Sequence, residues 1–389
     1  MQKLQTLKPE EFPAVQKQAS EGDAEAEALV CAAYRLGQFV KQDDAEAFGW
    51  CHKAAVQGHL GAQENLGVQY MLGLGAQRDA AQAIAWFAKA AAQGSAAAMH
   101  NLGAIYANGA GLPQNYGEAM KWYRQAAEKG YAPAQADLGI MFLRGEGVKP
   151  DSRKAVQWLR KSAEGKYAYA AFLLGLLYQQ GSGVSRNLTE SLAWFRNAGE
   201  LGDARAQNSL GWIYANGIGV PPDYPEAAKW YRLSAQQGDP VGAFGLAVRY
   251  LLGQGVGQDY GEAGKWLLAA AQKGHGDAAY NLALLYERHF SGQSGSPDYE
   301  KGAKFLEMAA EQDISDAACL LGQHYAAGKG VAKDLVAAYQ WVLLASQRGT
   351  RDCARELMPL EKLMTAEQIA EAKRRAASWT PRPHPGFNY

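Results

Sequence analysis

Residues 96–130 read AAAMHNLGAIYANGAGLPQNYGEAMKWYRQAAEKG. Ala98, Leu102 and Tyr106 fall at i, i+4 and i+8, which is one stripe of a helix. Gly109-Ala110-Gly111 interrupts that helix. Ala119, Trp122, Tyr123, Ala126 and Ala127 then form a second apolar stripe at helical spacing. Gly130 stands where a left-handed residue closes a helix. The stretch predicts two antiparallel helices of about 13 residues, each about 20 Å long. No strand pattern occurs in it.

The same pattern extends in both directions. Trp50, Trp86, Trp122, Trp158, Trp194, Trp230 and Trp266 are 36 residues apart; Phe305 follows after 39 and Trp341 after 36 more. In the same phase run Tyr34, Tyr70, Tyr106, Phe142, Tyr178, Tyr214, Tyr250, Tyr286 and Tyr325. Leu66, Leu102, Leu138, Leu174, Leu210, Leu246, Leu282 and Leu321 make a third ladder, four residues before the aromatic. Such register is the signature of a repeat architecture. One helix pair cannot bury both its faces, whereas stacked pairs can, so the pattern predicts a quasi-one-dimensional solenoid.

A glycine follows the ladder leucine at Gly67, Gly103, Gly139, Gly175, Gly211 and Gly322. Each weakens an isolated helix by about 1 kcal/mol relative to Ala. Its recurrence implies close approach of a neighbouring ring, for which the second-helix Trp is the evident candidate. Alanines eight residues before the aromatic (Ala62, Ala98, Ala134, Ala170, Ala206, Ala278, Ala317) fit the same tight packing. The seventh copy adds Gly242, Gly245, Gly257, Gly261 and Gly264, which reads as a soft joint, a close backbone approach or drift.

The whole chain has 389 residues, with 39 Lys+Arg against 39 Asp+Glu. Length alone suggests two or three domains; the repeat replaces that with one continuous array. Charge neutrality argues against nucleic acid or an anionic membrane as the main partner. No run of about 18 apolar residues is present, so no membrane insertion is expected. The N-terminus has no signal-peptide pattern, which favours a cytoplasmic location. Four cysteines, Cys31, Cys51, Cys319 and Cys353, do not make a disulfide framework. Cys31 and Cys51 could meet across a helix pair, but two buried thiols are the expectation. The histidines form no metal-ligand spacing, so no metal and no cofactor is expected.

The ends read as caps. Residues 1–21 form an N-terminal capping helix, with Phe12, Val15 and Ala19 inward. Residues 22–349 hold nine repeats and 350–379 a degenerate capping pair. Thr365-Ala-Glu-Gln368 is a capping-box start for the last helix. Residues 380–389 (TPRPHPGFNY) read as an extended, proline-containing tail.

These residues resemble the SEL-one-like repeat family, a relative of the tetratricopeptide solenoids. The family pattern, roughly A…LG..Y..G.GV..D...A..W(Y/F)..AA..G, stands here as Ala206…Leu210-Gly211…Tyr214…Gly217-Ile-Gly219-Val220…Ala227…Trp230-Tyr231…Ser234-Ala235…Gly238. A second copy runs from Ala134 through Leu138-Gly139, Phe142, Gly145-Glu-Gly147-Val148 and Ala155 to Trp158. Departures are Cys31 at the Leu-Gly glycine and Phe39 at the second loop glycine of copy one. Ala247 and Ala283 replace the helix glycine in copies seven and eight, Lys166 the closing glycine of copy four, and copy eight has an insertion at 288–297. A cysteine-rich branch of the family bridges each repeat; that pattern is absent here.

The resemblance implies an all-α, right-handed superhelical α/α solenoid of nine repeats of about 36 residues, with about 21 helices including the terminal caps. It implies a non-catalytic protein- or peptide-binding scaffold, or adaptor. The alternative it offers is an immunity protein that neutralises a secreted bacterial effector; a hydrolase is the weaker third reading. Expected partners are another protein or an extended peptide, and the scaffold itself is expected to be a monomer. Many family members are exported, which keeps the periplasm or the exterior open beside the cytoplasm.

By the same resemblance the first helix of each pair lines the concave surface. Its candidate positions lie nine, six and two residues before the ladder aromatic and one and two after it. The row two before is apolar in nearly every copy, Ala32 to Leu284, which favours helix-to-helix packing, with Trp212 the bulky exception. The row six before varies freely. Aromatic groups gather at Tyr169, Phe172, Trp212, Phe244 and Tyr280. Amide and guanidinium groups are offered by Asn108, Arg144, Gln180, Asn208, Asn216 and Arg288. Aromatic residues and Arg are enriched at interface hot spots, and amides can hold an extended backbone.

Enzyme signals fail on context. Gly73-Leu-Gly75 and Gly328-Lys-Gly330 follow helices, whereas phosphate-binding glycine loops follow strands. Gly292-Gln-Ser294-Gly295 lacks the glycine two residues after the serine that a nucleophile elbow needs. Isolated His and Asp residues read as surface groups, with His59 and His275 in equivalent inter-repeat turns.

Overall fold

The apolar stripes become helices, and the residues between them stop those helices at matching places. The computed structural model describes residues 2–287, 297–349 and 351–382. Among these, all regular structure is helical. Each copy is a helix pair, such as Ala96–Asn108 with Tyr116–Glu128 and Ala204–Asn216 with Tyr224–Gln236. Short helices at the ends, Gln2–Thr6 before the expected Phe12–Ser20 and Arg351–Ala354 with Leu357–Glu361 before Ala366–Ser378, bring the α-helices above the expected 21. The architecture is an α/α solenoid.

The chain forms two compact units, Met1–Asn187 and Leu188–Tyr389. The first holds the N-terminal helices, copies one to four and the first helix of copy five. Leu4, Phe12, Val15 and Ala19 are buried against its first repeat. The second holds the remaining helix of copy five, copies six to nine and the C-terminal helices. Within each unit a second helix packs on the first helix of its own copy and on that of the next.

A further ladder sets the loop geometry. Asp43, Asp79, Asn115, Asp151, Asp223, Asp259, Asp298 and Asp334 each accept from a backbone N–H of the second helix they precede. Their own N–H groups donate to the carbonyl of the ladder aromatic, as Asp79 to Tyr70 at 2.9 Å and Asp223 to Tyr214 at 2.8 Å. One residue thus satisfies an orphan donor of the second helix and pins the loop to the first.

The helix glycines sit under side chains, as expected, but the expected side chain is wrong. A Cβ at Gly67 would lie 2.6 Å from the Phe87 ring, and one at Gly103 2.6 Å from Tyr123. At Gly211 it would meet Tyr231 at 2.6 Å, at Gly139 Leu159 at 2.8 Å, and at Gly322 Val342 at 2.6 Å. The contact is made by the residue after the ladder Trp. The period of 3.6 residues turns that neighbour, about 100° away, toward the first helix. The Trp itself carries a lysine over its ring in several copies, among them Lys53 on Trp50 at 3.9 Å, Lys89 on Trp86 at 3.7 Å, Lys161 on Trp158 at 4.5 Å and Lys229 on Trp230 at 5.4 Å.

Of the extra glycines in copy seven, Gly242 and Gly245 are close approaches, lying against Ser234 and the Tyr231 ring. A Cβ at Gly257 would meet nothing within 4 Å. Among the described residues, the three non-glycine residues with positive φ are Phe39 (67°), Lys166 (60°) and Asp313 (71°). All three occupy positions where other copies carry a left-handed glycine.

The cysteine expectation is overturned. Cys31 is bonded to Cys51, and Cys319 to Cys353, with Cα–Cα distances of 5.1 and 5.8 Å. The reach of Cys31 across the helix pair to Cys51 was open in the sequence, but the meeting of Cys319 with the cap residue Cys353 depends on packing that exists only in three dimensions.

The last helix has the expected capping box, Thr365 with Gln368. Trp379 then packs edge-on against Trp341 at 5.9 Å, with the Arg348 guanidinium 4.9 Å from its ring. Arg382 closes the described chain by donating its N–H to the Glu311 carbonyl at 2.8 Å and pairing with its carboxylate at 3.0 Å.

Candidate binding surface of the first helices

The first helices of copies three to six end two residues past the ladder aromatic, because the next residue is a left-handed glycine: Gly109 (φ 65°), Gly145 (73°), Gly181 (78°) and Gly217 (68°). The residue at that end is therefore held at an exposed C-terminal turn. Asn108, Arg144, Gln180 and Asn216 are all exposed there. The Asn108 side-chain amide donates to the Ala104 carbonyl at 2.9 Å, and that of Asn216 to the Trp212 carbonyl at 2.9 Å. Each amide caps its own helix and keeps its oxygen as an outward acceptor. Arg144 lies 3.6 Å from Glu146 and its side chain is 66% exposed, so its guanidinium is open to solvent.

The row six before the aromatic makes joints instead of an open surface. Glu64 accepts from the Ser95 hydroxyl. The His100 ring lies 5.3 Å from Tyr131, and its Nε2 is 2.7 Å from Asp137. Phe244 stacks on His275 at 4.6 Å. In each case the partner belongs to the next repeat, at or near the start of its first helix. Burial, and then the Glu64 and Asp137 carboxylates, push the Tyr131 phenol up, so it stays a neutral donor.

Asn208 in the same row is buried, and Phe172 and Tyr280 are half-buried. Tyr169, in the row nine before, is half-buried and meets Tyr167 edge-on at 6.5 Å. Arg288 and the insertion residues 288–296 lie outside the described residues. His52 is exposed and His59 half-buried, but two other histidines are not the surface groups expected. His275 is buried, and His324 is buried beside Glu287 at 3.2 Å.

The apolar row two before the aromatic is half-buried at Ile140, Leu176, Val248 and Leu284, but Trp212 is 48% exposed. Its helix packs on the next first helix, Pro240–Leu252, whose terminal Leu252 is 57% exposed. Trp212, Asn216 and Leu252 thus lie on adjoining first helices of the second unit. Leu252 was missed because the sequence reading sought polar groups at that row. Leu36 and Leu72, exposed at 52% and 63%, stand at the same position in the first unit. The signal was available as an apolar residue just before a helix-closing glycine.

A family model for the Sel1 repeat matches nine consecutive segments, from 24–59 to 315–350. The chain belongs to the Sel1 repeat family. Sel1 repeat proteins serve as protein-binding scaffolds. A crystal structure of a protective antigen from uropathogenic Escherichia coli strains, displaying the same repeat fold, is 31% identical. It covers 94% of this chain and 85% of its own, with a TM-score of 0.53. A Sel1 repeat protein from Oxalobacter formigenes is 34% identical over 59% of this chain and 100% of its own, with a TM-score of 0.54. An immunity protein from Pseudomonas aeruginosa, 21% identical over 55% of this chain and 81% of its own, has a TM-score of 0.41 and carries no argument. No curated protein matches the chain. Among the described residues of this Sel1 repeat array, no group of three or more His, Cys, Asp or Glu could hold a metal ion. No helix among them is long and apolar enough to cross a membrane.

Proposed function

We propose that this protein is a non-catalytic adaptor that holds another protein, or an extended segment of one, on the first-helix surface. The observation that carries the reading is Trp212, a large ring left 48% exposed in a row whose other apolar members are half-buried or small. Tryptophan is among the residue types enriched at interface hot spots, and an exposed leucine, Leu252, stands on the adjoining first helix. Asn216 supplies a backbone-seeking acceptor next to Trp212. The first unit, taken by itself, offers exposed polar groups in Arg144 and Asn108, suited to a carboxylate and a peptide N–H. The likeness to a protective antigen over most of the chain supports a protein whose surface is met by other proteins.

The test is affinity capture with the intact chain from native lysate, followed by titration of the purified captured protein. Trp212→Ala is expected to weaken binding at least tenfold, as hot-spot truncations do. Arg144→Ala with Trp212→Ala is expected to abolish capture. Unchanged affinity in the double variant would overturn the placement of the surface.

A further inference from the structure

The two disulfides stand where inner repeats make their recurrent non-covalent contacts. Cys31 occupies the helix-glycine position of copy one, and Cys51 the position after the ladder Trp. These are the places of Gly67 and Phe87, of Gly103 and Tyr123, and of Gly211 and Tyr231, which meet in van der Waals contact. In the first repeat a covalent bond replaces ring-on-glycine packing.

Cys319 occupies the row six before the aromatic in the last repeat. In inner copies that row touches the next repeat, as His100 does Tyr131 and Phe244 does His275. Cys319 reaches the next helix as well, by its bond to Cys353 in Arg351–Ala354 of the C-terminal cap. One bond therefore lies in the first repeat and the other joins the last repeat to its cap. Cys31, Cys51 and Cys353 are fully buried. No other cysteine is present in the chain.

An inner repeat is held by full repeats on both sides, whereas a terminal repeat has a full repeat on one side and only capping helices on the other, so it opens first. Cross-links are most useful at such places. We propose that the two disulfides are end clamps of the repeat array, formed in an oxidising compartment where the protein works. Each bond forms when two thiols lose two electrons and two protons to a disulfide-bearing oxidant, which is reduced to its dithiol. Persistent bonds of this kind belong to secreted, surface or periplasmic proteins. The inference is independent of which partner the first helices hold.

Two measurements test it. Intact native cells are treated with a thiol alkylator before lysis, and the protein is then mapped by mass spectrometry. Recovery of the linked peptides 31–51 and 319–353 without alkylation is expected; alkylation at all four cysteines overturns the compartment. Hydrogen exchange is then followed on the full oxidised chain and on Cys31→Ala/Cys51→Ala. Exchange in residues 24–56 is expected to accelerate by about a hundredfold, from the usual effect of closing a loop of this size, while residues 96–164 change less than threefold. Equal rates, or a uniform change across the array, overturn the clamp. A variant that carries the inner-repeat pair instead, Cys31→Gly/Cys51→Phe, keeps the question open to an answer if the alanine pair does not fold. It is expected to fold and to recover at least tenfold of the lost protection. Failure to recover any overturns the equivalence of bond and ring contact.

Discussion

The third and eighth repeats close the same joint between their two helices with different residues. In the third, Gly103 lies under the Tyr123 ring. In the eighth, Ala283 stands at the glycine position and Leu306 at the ring position, both fully buried. The seventh uses Ala247 with Leu267 in the same way. A methyl is gained on one helix where a ring is given up on the other. In the seventh and eighth copies the filled volume of the joint is thereby kept, as close-packed interiors require, whereas the fourth and ninth keep the glycine under a smaller side chain, Leu159 and Val342.

The strongest way to break that comparison is to mix the two solutions. Gly103→Ala places a methyl 2.6 Å from a Tyr123 ring carbon. Overpacking of this kind destabilises by about 1–3 kcal/mol, only partly offset by better helix propensity. A net loss of about 2 kcal/mol is expected in denaturant unfolding. Tyr123→Leu alone leaves a cavity and is also expected to destabilise. Together the two recreate the pair of the eighth repeat, so the double variant is expected to be at least 1 kcal/mol more stable than the sum of the singles. Additive losses would show that volume compensation is not what links the copies.

The sequence made the array legible because every lattice position recurs and each recurrence tests the last. Leucine, glycine, alanine and aromatic ladders all lie on the helix faces assigned to them. What stayed illegible is what a one-dimensional pattern does not encode. The ring over the glycine was assigned to Trp86 and its equivalents, when the next residue along, such as Phe87, points there. The cysteines were judged by count, although Cys31 and Cys51 occupy a known contact pair. For the candidate surface, the rows were identified, but burial separates them: Asn208 is inside, Phe244 is stacked on His275, and among the described aromatic candidates Trp212 is the exposed one. Rows on one helix face share a direction, yet only the packing of the next repeat decides which members water reaches.

A second comparison lies between copies that have a tyrosine in the aromatic ladder and the one with Phe142. Arg160 donates to the Tyr178 hydroxyl, Arg196 to Tyr214, and Arg232 to Tyr250 at 3.1 Å. Each arginine lies two residues past a ladder Trp and reaches into the following repeat. Arg124 has the same position, but its counterpart is Phe142, buried and without a hydroxyl. Phe142→Tyr is expected to stabilise the array by about 1 kcal/mol, the usual net value of one such hydrogen bond. The gain should vanish in the Arg124→Ala background; if it persists, the clamp is not its cause.

The smallest effects separate two residues that share one backbone conformation. Lys166 and Asp313 both replace a helix-closing glycine and both have positive φ, 60° and 71°. The left-handed region strains a side chain by roughly 1–2 kcal/mol, less for Asp and Asn, whose short polar groups bond locally. Lys166 has no such relief, so Lys166→Gly removes strain and exchanges it for a smaller loss of chain entropy. A stabilisation of about 0.5 kcal/mol is expected. Asp313 also pairs with Arg348, the arginine that lies against the Trp379 ring. Asp313→Gly removes that ion pair along with the strain and is expected to destabilise by about 0.5 kcal/mol, with earlier opening of the C-terminal cap in hydrogen exchange. Opposite signs at equivalent positions would mean that the backbone fixes the conformation and the neighbouring repeat decides which residue tolerates it. Equal signs would leave φ alone in control.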